Sequence, residues 1–171
     1  MQSNVTVVAI PDTSENDCLV AAARASNALV LRGSENDVLS RYVNAALAVN
    51  ADAIVRITAD CPLICPELCD AIIAKFKREG ADYASNIEPR TFPQGLDCEV
   101  FTKQTLMAAE YNSKPDEREH VTTWMRRADI KRVCVENPWP LEGRITLDTE
   151  ADYRVICHAF DLNYAGRKEA A

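Results

Sequence analysis

The stretch Val55-Arg56-Ile57-Thr58-Ala59-Asp60-Cys61-Pro62-Leu63 begins as an apolar run and ends at an aspartate and a proline. An apolar run of this kind, interrupted by a single arginine, is typical of a strand in the middle of a parallel sheet. In α/β proteins, ligands bind outside the carboxyl ends of such strands. Asp60 is therefore either a ligand for a hard cation or the cap of the turn or helix that follows.

A second apolar run ends in the same way, in the stretch Ile145-Thr146-Leu147-Asp148-Thr149-Glu150-Ala151-Asp152. Mg²⁺ in proteins is held by one or two carboxylates together with water and phosphate oxygens. Two aspartates at strand ends that meet on one rim of a sheet would provide the protein's share of such a site. The alternative for Asp148 is an ordinary N-cap of the next helix.

Apolar periodicity alternates between short strands and helices along the chain. It predicts strands at residues 5–10, 28–31, 53–58, 82–86, 97–101, 131–136 and 144–147. It predicts helices at residues 14–26, 37–49, 66–79, 104–111, 117–127 and 150–160. The first half implies βαβ units and a mostly parallel sheet, and the more mixed second half is expected to add antiparallel strands. We expect one domain over residues 1–162 and a polar, frayed tail over residues 163–171.

Composition and charge restrict the function. The chain has 171 residues, of which 47% are apolar and 26% charged, and its net charge is −7. This balance argues against general nucleic-acid binding, which needs a basic face. No apolar segment approaches the roughly 20 residues of a membrane span, and the first residues do not resemble a signal peptide. We therefore expect a cytoplasmic protein with no nucleic-acid or membrane partner.

The chain contains seven cysteines, an odd number scattered over predicted strands and helices. This usage predicts reduced, mostly buried thiols. Cys61, Cys65 and Cys69 are separated by three residues each, whereas common zinc sites use a two-residue spacing. No fourth cysteine or histidine lies nearby, so we interpret the three as core thiols and not as metal ligands.

Residues 32–42 contain a turn, a predicted helix N-terminus and two arginines, Arg32 and Arg41. Helix N-termini and arginine side chains both favour phosphate groups or polar base edges. The alternative is a plain helix start with solvated charges. The residues alone do not decide between the two.

Two further groups of polar residues are candidates for substrate contacts. Arg118, Glu119 and His120 fall within one turn of a predicted helix, where they could transfer a proton or hold an acidic substrate. A structural role is the alternative for this histidine. Asp97 and Glu99 alternate on one side of a predicted strand. They would either receive sugar hydroxyls or face water.

Six motifs occur in one order along the chain. They are Arg32-Gly33-Ser34 with Asp37-Val38-Leu39 and Arg41-Tyr42, then the stretch from Arg56 to Leu63, Asp82-Tyr83-Ala84-Ser85-Asn86, Gly95-Leu96-Asp97-Cys98-Glu99-Val100-Phe101, Arg118-Glu119-His120-Val121-Thr122, and Leu147-Asp148-Thr149 with Asp152. This order resembles the spore-coat polysaccharide biosynthesis protein F branch of the cytidylyltransferases. That branch is similar to the CMP-Kdo and CMP-acylneuraminate synthetases. The resemblance covers roughly residues 5–160.

The resemblance implies a three-layer α/β fold like that of the nucleotide-diphospho-sugar transferases, with a Rossmann-like sheet. It implies a Mg²⁺-dependent enzyme that activates an acidic sugar with CTP and releases pyrophosphate, for surface polysaccharide biosynthesis. In such a reaction a sugar hydroxyl attacks the α-phosphorus in line, and positioning and electrostatics supply most of the catalysis. A homodimer is the expected assembly.

The resemblance also implies which residues form the site. Asp60 and Asp148 match the catalytic, Mg²⁺-binding aspartates of the family. The nucleotide-binding stretch matches Arg32, Ser34, Asp37 and Arg41. The acceptor side matches Asn86, Asp97, Glu99, Arg118 and His120.

The family begins with a strand and a loop that cradles the triphosphate with backbone amides and basic side chains. Residues 5–10 match the second strand of the family, so we expect the first βα unit to be absent from this chain. The alternative to a cytidylyltransferase is a non-catalytic binding or assembly module that keeps the fold. A glycosyltransferase of similar fold is disfavoured, because Asp60-Cys61-Pro62 is not an Asp-x-Asp metal motif.

Overall fold

The computed structural model describes residues 5–169, in which strands and helices alternate. The strands are β1 (Val7–Pro11), β2 (Leu29–Gly33), β3 (Ala53–Arg56), β4 (Tyr83–Ser85), β5 (Glu99–Thr102) and β6 (Arg132–Cys134). The α-helices are α1 (Asp17–Ala25), α2 (Val38–Ala48), α3 (Pro66–Glu79), α4 (Lys103–Asn112), α5 (Thr123–Arg127) and α6 (Glu150–Glu169). Short 3-10 helices occupy Ser14–Asn16 and Pro115–Glu117.

The strands form two sheets. β1 and β2 pair in parallel. The second sheet has the order β3-β5-β4-β6, and within it β5 alone runs against its neighbours, while β4 and β6 pair in parallel. The α/β class with mostly parallel strand directions is thereby confirmed. The antiparallel β5 confirms the expectation for the second half of the chain.

Helices cover both faces of the four-stranded sheet. On one face α2 and α4 pack on the sheet through Leu39, Val43, Tyr83, Phe101 and Leu106. On the other face α3 packs through Ile72, Phe76, Ala84 and Val100. Consecutive strand residues point to opposite faces, so neighbours such as Tyr83 and Ala84 belong to different cores. The result is the three-layer arrangement that the resemblance implied.

Local sequence signals explain where two of the helices begin and end. α3 starts at Pro66, whose fixed φ and missing N–H suit the first helical position, and ends before Gly80, which has φ 56°. Both bounds agree with the sequence prediction. α2 starts after Asp37, whose carboxylate accepts a hydrogen bond of 2.9 Å from the Ser40 amide.

The predicted helix over residues 117–127 is wrong. The chain instead forms the 3-10 helix Pro115–Glu117, a turn over residues 118–122, and then the short α5. Val121 has φ 56°, a conformation that a β-branched residue adopts only under constraint and that no α-helix contains. Its side chain is fully buried in the core beneath α2 and α4, and this burial opposes the backbone strain.

The predicted strand over residues 144–147 is also wrong. Arg144 makes one isolated bridge to Gln94. The amide of Ile145 donates to the Gln94 carbonyl and that of Leu147 to the Asp60 carbonyl, each at 2.8 Å. Because these acceptors lie in two different loops, the segment is extended without a strand partner.

The C-terminal helix is longer than predicted. α6 runs from Glu150 to Glu169, so residues 163–169 of the predicted tail are helical, and residues 170–171 lie outside the described residues. None of the helices in this described part of the chain is both long enough and apolar enough to cross a membrane.

Candidate functional site

Asp60 and the segment before Asp148 meet at one rim of the sheet. Asp60 lies in the turn after β3 and is partly buried. Its carbonyl accepts the 2.8 Å hydrogen bond from Leu147, the residue immediately before Asp148. The same segment is tied to the loop after β4, because the Gln94 amide donates to the Gly143 carbonyl at 3.0 Å. The backbone therefore joins the two segments that contain the aspartates singled out by the sequence.

The Asp148 carboxylate is oriented through one oxygen. Its Oδ2 accepts hydrogen bonds from Arg144 and, at 2.7 Å, from the Thr146 hydroxyl. Its Oδ1 accepts none from the described residues, and half of the side chain is exposed. One carboxylate oxygen is thus held in place while the other remains available to a ligand.

The N-cap of α6 is Thr149 and not Asp148. The Thr149 hydroxyl accepts from the Asp152 amide at 3.2 Å, and the Asp152 carboxylate accepts from the Thr149 amide at 2.8 Å. This reciprocal pair is a capping box, with aspartate in the position that glutamate or glutamine more often takes. Of the two alternatives for Asp148, the structure therefore removes the capping role.

Asp152 supports Asp148 from the first turn of α6. Its carboxylate accepts hydrogen bonds from the amides of Asp148 and Thr149 and from the Arg144 guanidinium. These contacts, led by the Asp148 amide, lower the pKa of Asp152 to about 2. The group is charged at neutral pH, so it holds Arg144 beside Asp148.

The Asp60 carboxylate caps neither a turn nor a helix. Its one side-chain contact among the described residues is a weak hydrogen bond of 3.7 Å from the Cys61 thiol, which also lies 3.2 Å from the Thr58 hydroxyl. Burial raises the pKa of Cys61, so this thiol is protonated. All seven cysteines are free thiols, of which three are buried and Cys18 is exposed.

The donor set suits Mg²⁺ better than a metal that needs a closed protein cage. Among residues 5–169, no group of three or more histidine, cysteine, aspartate or glutamate side chains is placed to hold a metal ion. A cation at Asp60 and Asp148 would take its other ligands from water or phosphate oxygens. Mg²⁺ is commonly held in this way, because it keeps several waters and few carboxylates.

Arg118 lies beside the predicted nucleotide segment. Its Nε donates to the Asp37 carboxylate at 2.8 Å and its Nη2 to the Glu110 carboxylate at 2.8 Å. Its carbonyl accepts from the Leu39 amide at 2.9 Å. The Asp37 amide in turn donates to Ser34 Oγ at 3.1 Å. Arg118 therefore fixes the start of α2.

The two arginines of the nucleotide segment differ in their partners. Arg32 forms ion pairs with Asp17 and Asp12 and donates to the Thr13 carbonyl. Arg41 has a buried Nε with no hydrogen-bond partner among the described residues. Arg41 therefore has an unused donor near the start of α2, whereas the guanidinium of Arg32 is already neutralised.

The acceptor-side residues predicted from the sequence are largely used inside the protein. Asn86 is fully buried, donates to the Leu96 carbonyl at 2.8 Å and accepts from the Cys98 amide at 2.9 Å. Asp97 accepts two hydrogen bonds from Arg90, at 2.7 and 2.9 Å. Asn86 therefore closes the loop that carries Asp97.

Glu99 neither faces water nor shares a strand with Asp97, because β5 begins at Glu99 itself. Its side chain is 3% exposed and accepts from Arg56 at 2.5 Å and from the Tyr83 hydroxyl at 2.6 Å. Burial, followed by the Glu99 charge, raises the pKa of Tyr83. The predicted sugar contact of Glu99 is thus replaced by a buried ion pair.

The partner of Glu99 is Arg56, the single arginine in the apolar run that begins at Val55. Its guanidinium lies between Glu99 and the Tyr42 ring, 6.0 Å from the ring centroid. His120, by contrast, is exposed, and its side chain makes no hydrogen bond or ion pair among the described residues. Its carbonyl accepts from the Thr122 amide in the turn before α5.

A family model described as cytidylyltransferase matches residues 2–155. The chain belongs to this cytidylyltransferase family. Spore coat polysaccharide biosynthesis protein SpsF of Bacillus subtilis is 32% identical over 157 residues, which cover 88% of this chain and 64% of the relative. The membership confirms the resemblance found in the six motifs.

Solved structures agree with the family. The structure of a cytidylyltransferase from Leptospira borgpetersenii superposes with a TM-score of 0.82 at 33% identity, over 86% of this chain and 64% of that chain. CMP:2-keto-3-deoxy-manno-octonic acid synthetase complexed with CTP has a TM-score of 0.66 at 14% identity, over 93% of this chain and 81% of that chain, and shows a shared fold. The chain spans 64% of the length of both SpsF and the Leptospira protein.

Proposed function

We propose that this chain contributes to the transfer of a cytidylyl group from CTP to an acidic sugar, with release of pyrophosphate. The observation that supports the proposal is the backbone hydrogen bond from Leu147 to Asp60, which joins the turn that contains Asp60 to the residue before Asp148. Membership of the cytidylyltransferase family supports the reaction class. The proposal keeps the cytoplasmic location and the homodimer expected from the sequence.

Asp60 and Asp148 would hold Mg²⁺ in this proposal. When bound, Mg²⁺ neutralises charge on phosphate oxygens and on the pyrophosphate leaving group. Arg144 and Thr146 fix one oxygen of Asp148, so the free oxygen has a defined direction. Asp152 keeps Arg144 in place and is itself occupied by amide hydrogen bonds. The Asp148 carboxylate would therefore be oriented before any ligand arrives.

The remaining residues would bind and orient the substrates. Arg41 has an unused buried donor near the turn at residues 33–36, where a nucleotide phosphate or base edge would be a suitable acceptor. An acceptor hydroxyl then attacks the α-phosphorus, the bond to pyrophosphate breaks, and the hydroxyl proton passes to solvent or a nearby base. Positioning is the main contribution of the protein to such a step.

Two relatives support an acidic sugar for surface polysaccharide. SpsF is named for spore coat polysaccharide biosynthesis, and the synthetase that shares the fold is named for 2-keto-3-deoxy-manno-octonic acid, which is a sugar acid. On the basis of these two names, the substrate class that we propose for this chain is an acidic sugar used for surface polysaccharide.

A thermal-shift experiment tests the proposal. We expect millimolar CTP with Mg²⁺ to raise the melting temperature of the full chain by several degrees, and to do so less with ATP, GTP or UTP. Asp60→Asn and Asp148→Asn should abolish the rise. A melting temperature that does not respond to CTP and Mg²⁺, together with no pyrophosphate release, would favour the non-catalytic module instead.

A further inference from the structure

The strands β1 and β3 each have one edge that no strand of the described residues pairs with. β1 pairs only with β2, and β3 pairs only with β5. Helix α2 packs against β1 and β2, and its Val43 also lies in the core against which Ile54 of β3 packs. In the first pair of strands β1 is the inner one, because Ile10 is 3% exposed whereas Leu29 of β2 is 52% exposed. The open edges of β1 and β3 therefore lie on either side of one space beneath α2, which we call the strand gap.

The hydrogen-bond pattern shows which backbone groups of β1 face the strand gap. The Leu29 amide donates to the Thr6 carbonyl at 2.9 Å. Alternate residues of a strand direct their backbone groups to opposite sides, so Thr6 and Val8 bond to β2. The N–H and C=O groups of Val7 and Ala9 then point into the strand gap, where no described residue pairs with them.

The same pattern holds on the β3 side of the strand gap. The Lys103 amide donates to the Asp52 carbonyl at 2.9 Å, and in this register the backbone of Ile54 bonds to β5. Ala53 and Val55 therefore direct their N–H and C=O groups into the strand gap, without a backbone partner in the part of the chain that the structure describes. Because nearly all backbone groups inside proteins are paired, both edges favour a further hydrogen-bonding partner.

The side chains at the strand gap differ from those at the outer edges of the two sheets. On β2 and β6, the residues whose backbone faces outward include Arg32 and Arg132. Charged side chains at a sheet edge discourage pairing with another chain. Before Pro11 ends β1, the positions that face the strand gap carry only valine and alanine on both strands. Such apolar, unprotected edges are typical of strands in the interior of a sheet.

We propose that the strand gap binds one extended, apolar segment of another polypeptide, which joins the two sheets into one. β1 has five residues and β3 has four, so a segment of similar length would reach along both edges. An extended backbone directs donors and acceptors to both of its sides, and main-chain hydrogen bonds of this kind provide affinity in β-strand addition. Apolar side chains are required because α2 covers one face of the strand gap. The proposal goes beyond nucleotidyl transfer and needs neither nucleotide nor metal.

A peptide that binds the full chain tests the proposal. The probe is Lys-Lys-Val-Ile-Val-Ala-Val-Lys-Lys with a fluorescein label and an amidated C-terminus, and its binding is followed by fluorescence anisotropy. Two matched peptides carry N-methyl groups on alternate residues of the apolar segment, so each has lost its donors to one side. We expect both methylated peptides to bind at least tenfold more weakly than the probe, because an inserted strand donates on both sides. A strand added to one edge alone would be weakened by only one of the two.

Proline substitutions test the two edges separately. Ala9→Pro and Val55→Pro each remove one amide that faces the strand gap, and each should weaken binding of the probe at least tenfold. The control Arg132→Pro removes an outward-facing amide from β6 and should bind the probe like the wild type. If a proline variant does not fold, hydrogen exchange of the wild type followed by NMR gives the same information. With the probe bound, the amides of Val7, Ala9, Ala53 and Val55 should exchange at least tenfold more slowly.

Several results would overturn the strand gap as a binding site. These are no binding of the probe, weaker binding of only one methylated peptide, equal loss of affinity in Arg132→Pro, or slower exchange on β1 alone or on β3 alone. The rise in melting temperature with CTP and Mg²⁺, measured in parallel, keeps the two proposals apart. If the probe binds and CTP has no effect, only nucleotidyl transfer fails. If CTP raises the melting temperature and the probe does not bind, only the strand gap fails.

Discussion

The amide of Leu147 donates a 2.8 Å hydrogen bond to the carbonyl of Asp60. This bond joins the turn after β3 to the extended segment before α6, and it is made by the backbone, so it does not depend on which side chains are present. The carboxylate of Asp60 then differs from the other acidic groups at this rim. Asp97 is paired with Arg90, and Asp148 and Asp152 are both paired with Arg144, whereas the one side-chain contact of Asp60 among the described residues is a weak one with the Cys61 thiol.

We expect Asp60→Asn and Asp148→Asn each to weaken Mn²⁺ binding, used as a spectroscopic substitute for Mg²⁺, at least tenfold in electron paramagnetic resonance titrations with CTP present. An amide oxygen is a poorer ligand than a carboxylate for a hard cation. Asp161→Asn, at an exposed position on α6, is the control and should bind Mn²⁺ like the wild type. If all three variants bind alike, the aspartate pair is not the metal site.

Gly95→Ala should disturb the site through the backbone. Gly95 has φ +106°, and a Cβ there would lie 2.8 Å from the Ile145 carbonyl carbon and 2.9 Å from its oxygen. Ile145 precedes Leu147 by two residues, so a displacement would strain the bond to Asp60. We expect the free energy of unfolding, measured with urea, to fall by about 2–4 kcal/mol, because left-handed backbone strain and overpacking act together. The rise in melting temperature with CTP and Mg²⁺ should also be smaller.

Gly143→Ala is the matched control for that variant. Gly143 also has positive φ, +140°, but an added Cβ would meet nothing within 4 Å. The Gly143→Ala variant should lose about 1–2 kcal/mol of unfolding free energy from backbone strain alone. Its melting temperature should rise with CTP and Mg²⁺ as that of the wild type does. Equal losses of stability and of the shift in both variants would show that the close approach to Ile145 is unimportant.

Among the described residues, the Arg56–Glu99 ion pair should be the one whose disruption lowers stability most, because its side chains are only 16% and 3% exposed. Arg56→Met or Glu99→Leu leaves one buried charge without its partner, so each should lose about 3–5 kcal/mol of unfolding free energy. The double variant should lose less than the sum. Urea unfolding of the four proteins forms a double-mutant cycle, and strict additivity would show that the two charges do not interact.

Local signals made much of the fold predictable. Pro66 and Gly80 set both ends of α3, and Asp37 set the start of α2, because the backbone preference at each of these positions is decided by the residue itself. The capping box of Thr149 and Asp152 could also have been read from its spacing, which would have separated Asp148 from a capping role before the structure was known.

The failures arose where distant residues override local preference. The helical pattern over residues 117–127 is interrupted at Val121, whose positive φ depends on burial of its side chain against the core beneath α2 and α4. The buried state of Glu99 depends on Arg56, which lies on another strand. Neither contact produces a periodic pattern in a single sequence. The sequence therefore could not show that Glu99 is buried against Arg56 and does not face a sugar or water.

Arg118→Gln and His120→Ala should distinguish a residue that stabilises the fold, Arg118, from a candidate substrate-binding residue, His120. Arg118 bonds to Asp37 and Glu110 and is 20% exposed, so its loss should lower the unfolding free energy by about 1–3 kcal/mol. His120 is exposed without a side-chain partner, so its removal should change stability by less than about 0.5 kcal/mol. If His120 contacts a substrate, His120→Ala should still reduce ligand binding. Unchanged binding would remove it from the site.

Acid should destabilise the turn before α5 through Glu117. Its carboxylate accepts two hydrogen bonds from Arg127, at 2.7 and 2.9 Å, and one from the Lys114 amide, and these lower the pKa of Glu117 from 4.5 to about 2. A lowered folded-state pKa contributes stability that is present above pH 4.5 and lost as the pH falls toward 2. Glu117→Gln should therefore be less stable than wild type at pH 6, with a difference that narrows toward pH 3. The control Glu119→Gln removes the same charge from an exposed position, and melting curves from pH 3 to 6 should show no such narrowing for it. If the two variants follow the same pH dependence, the contacts of Glu117 do not account for the acid sensitivity.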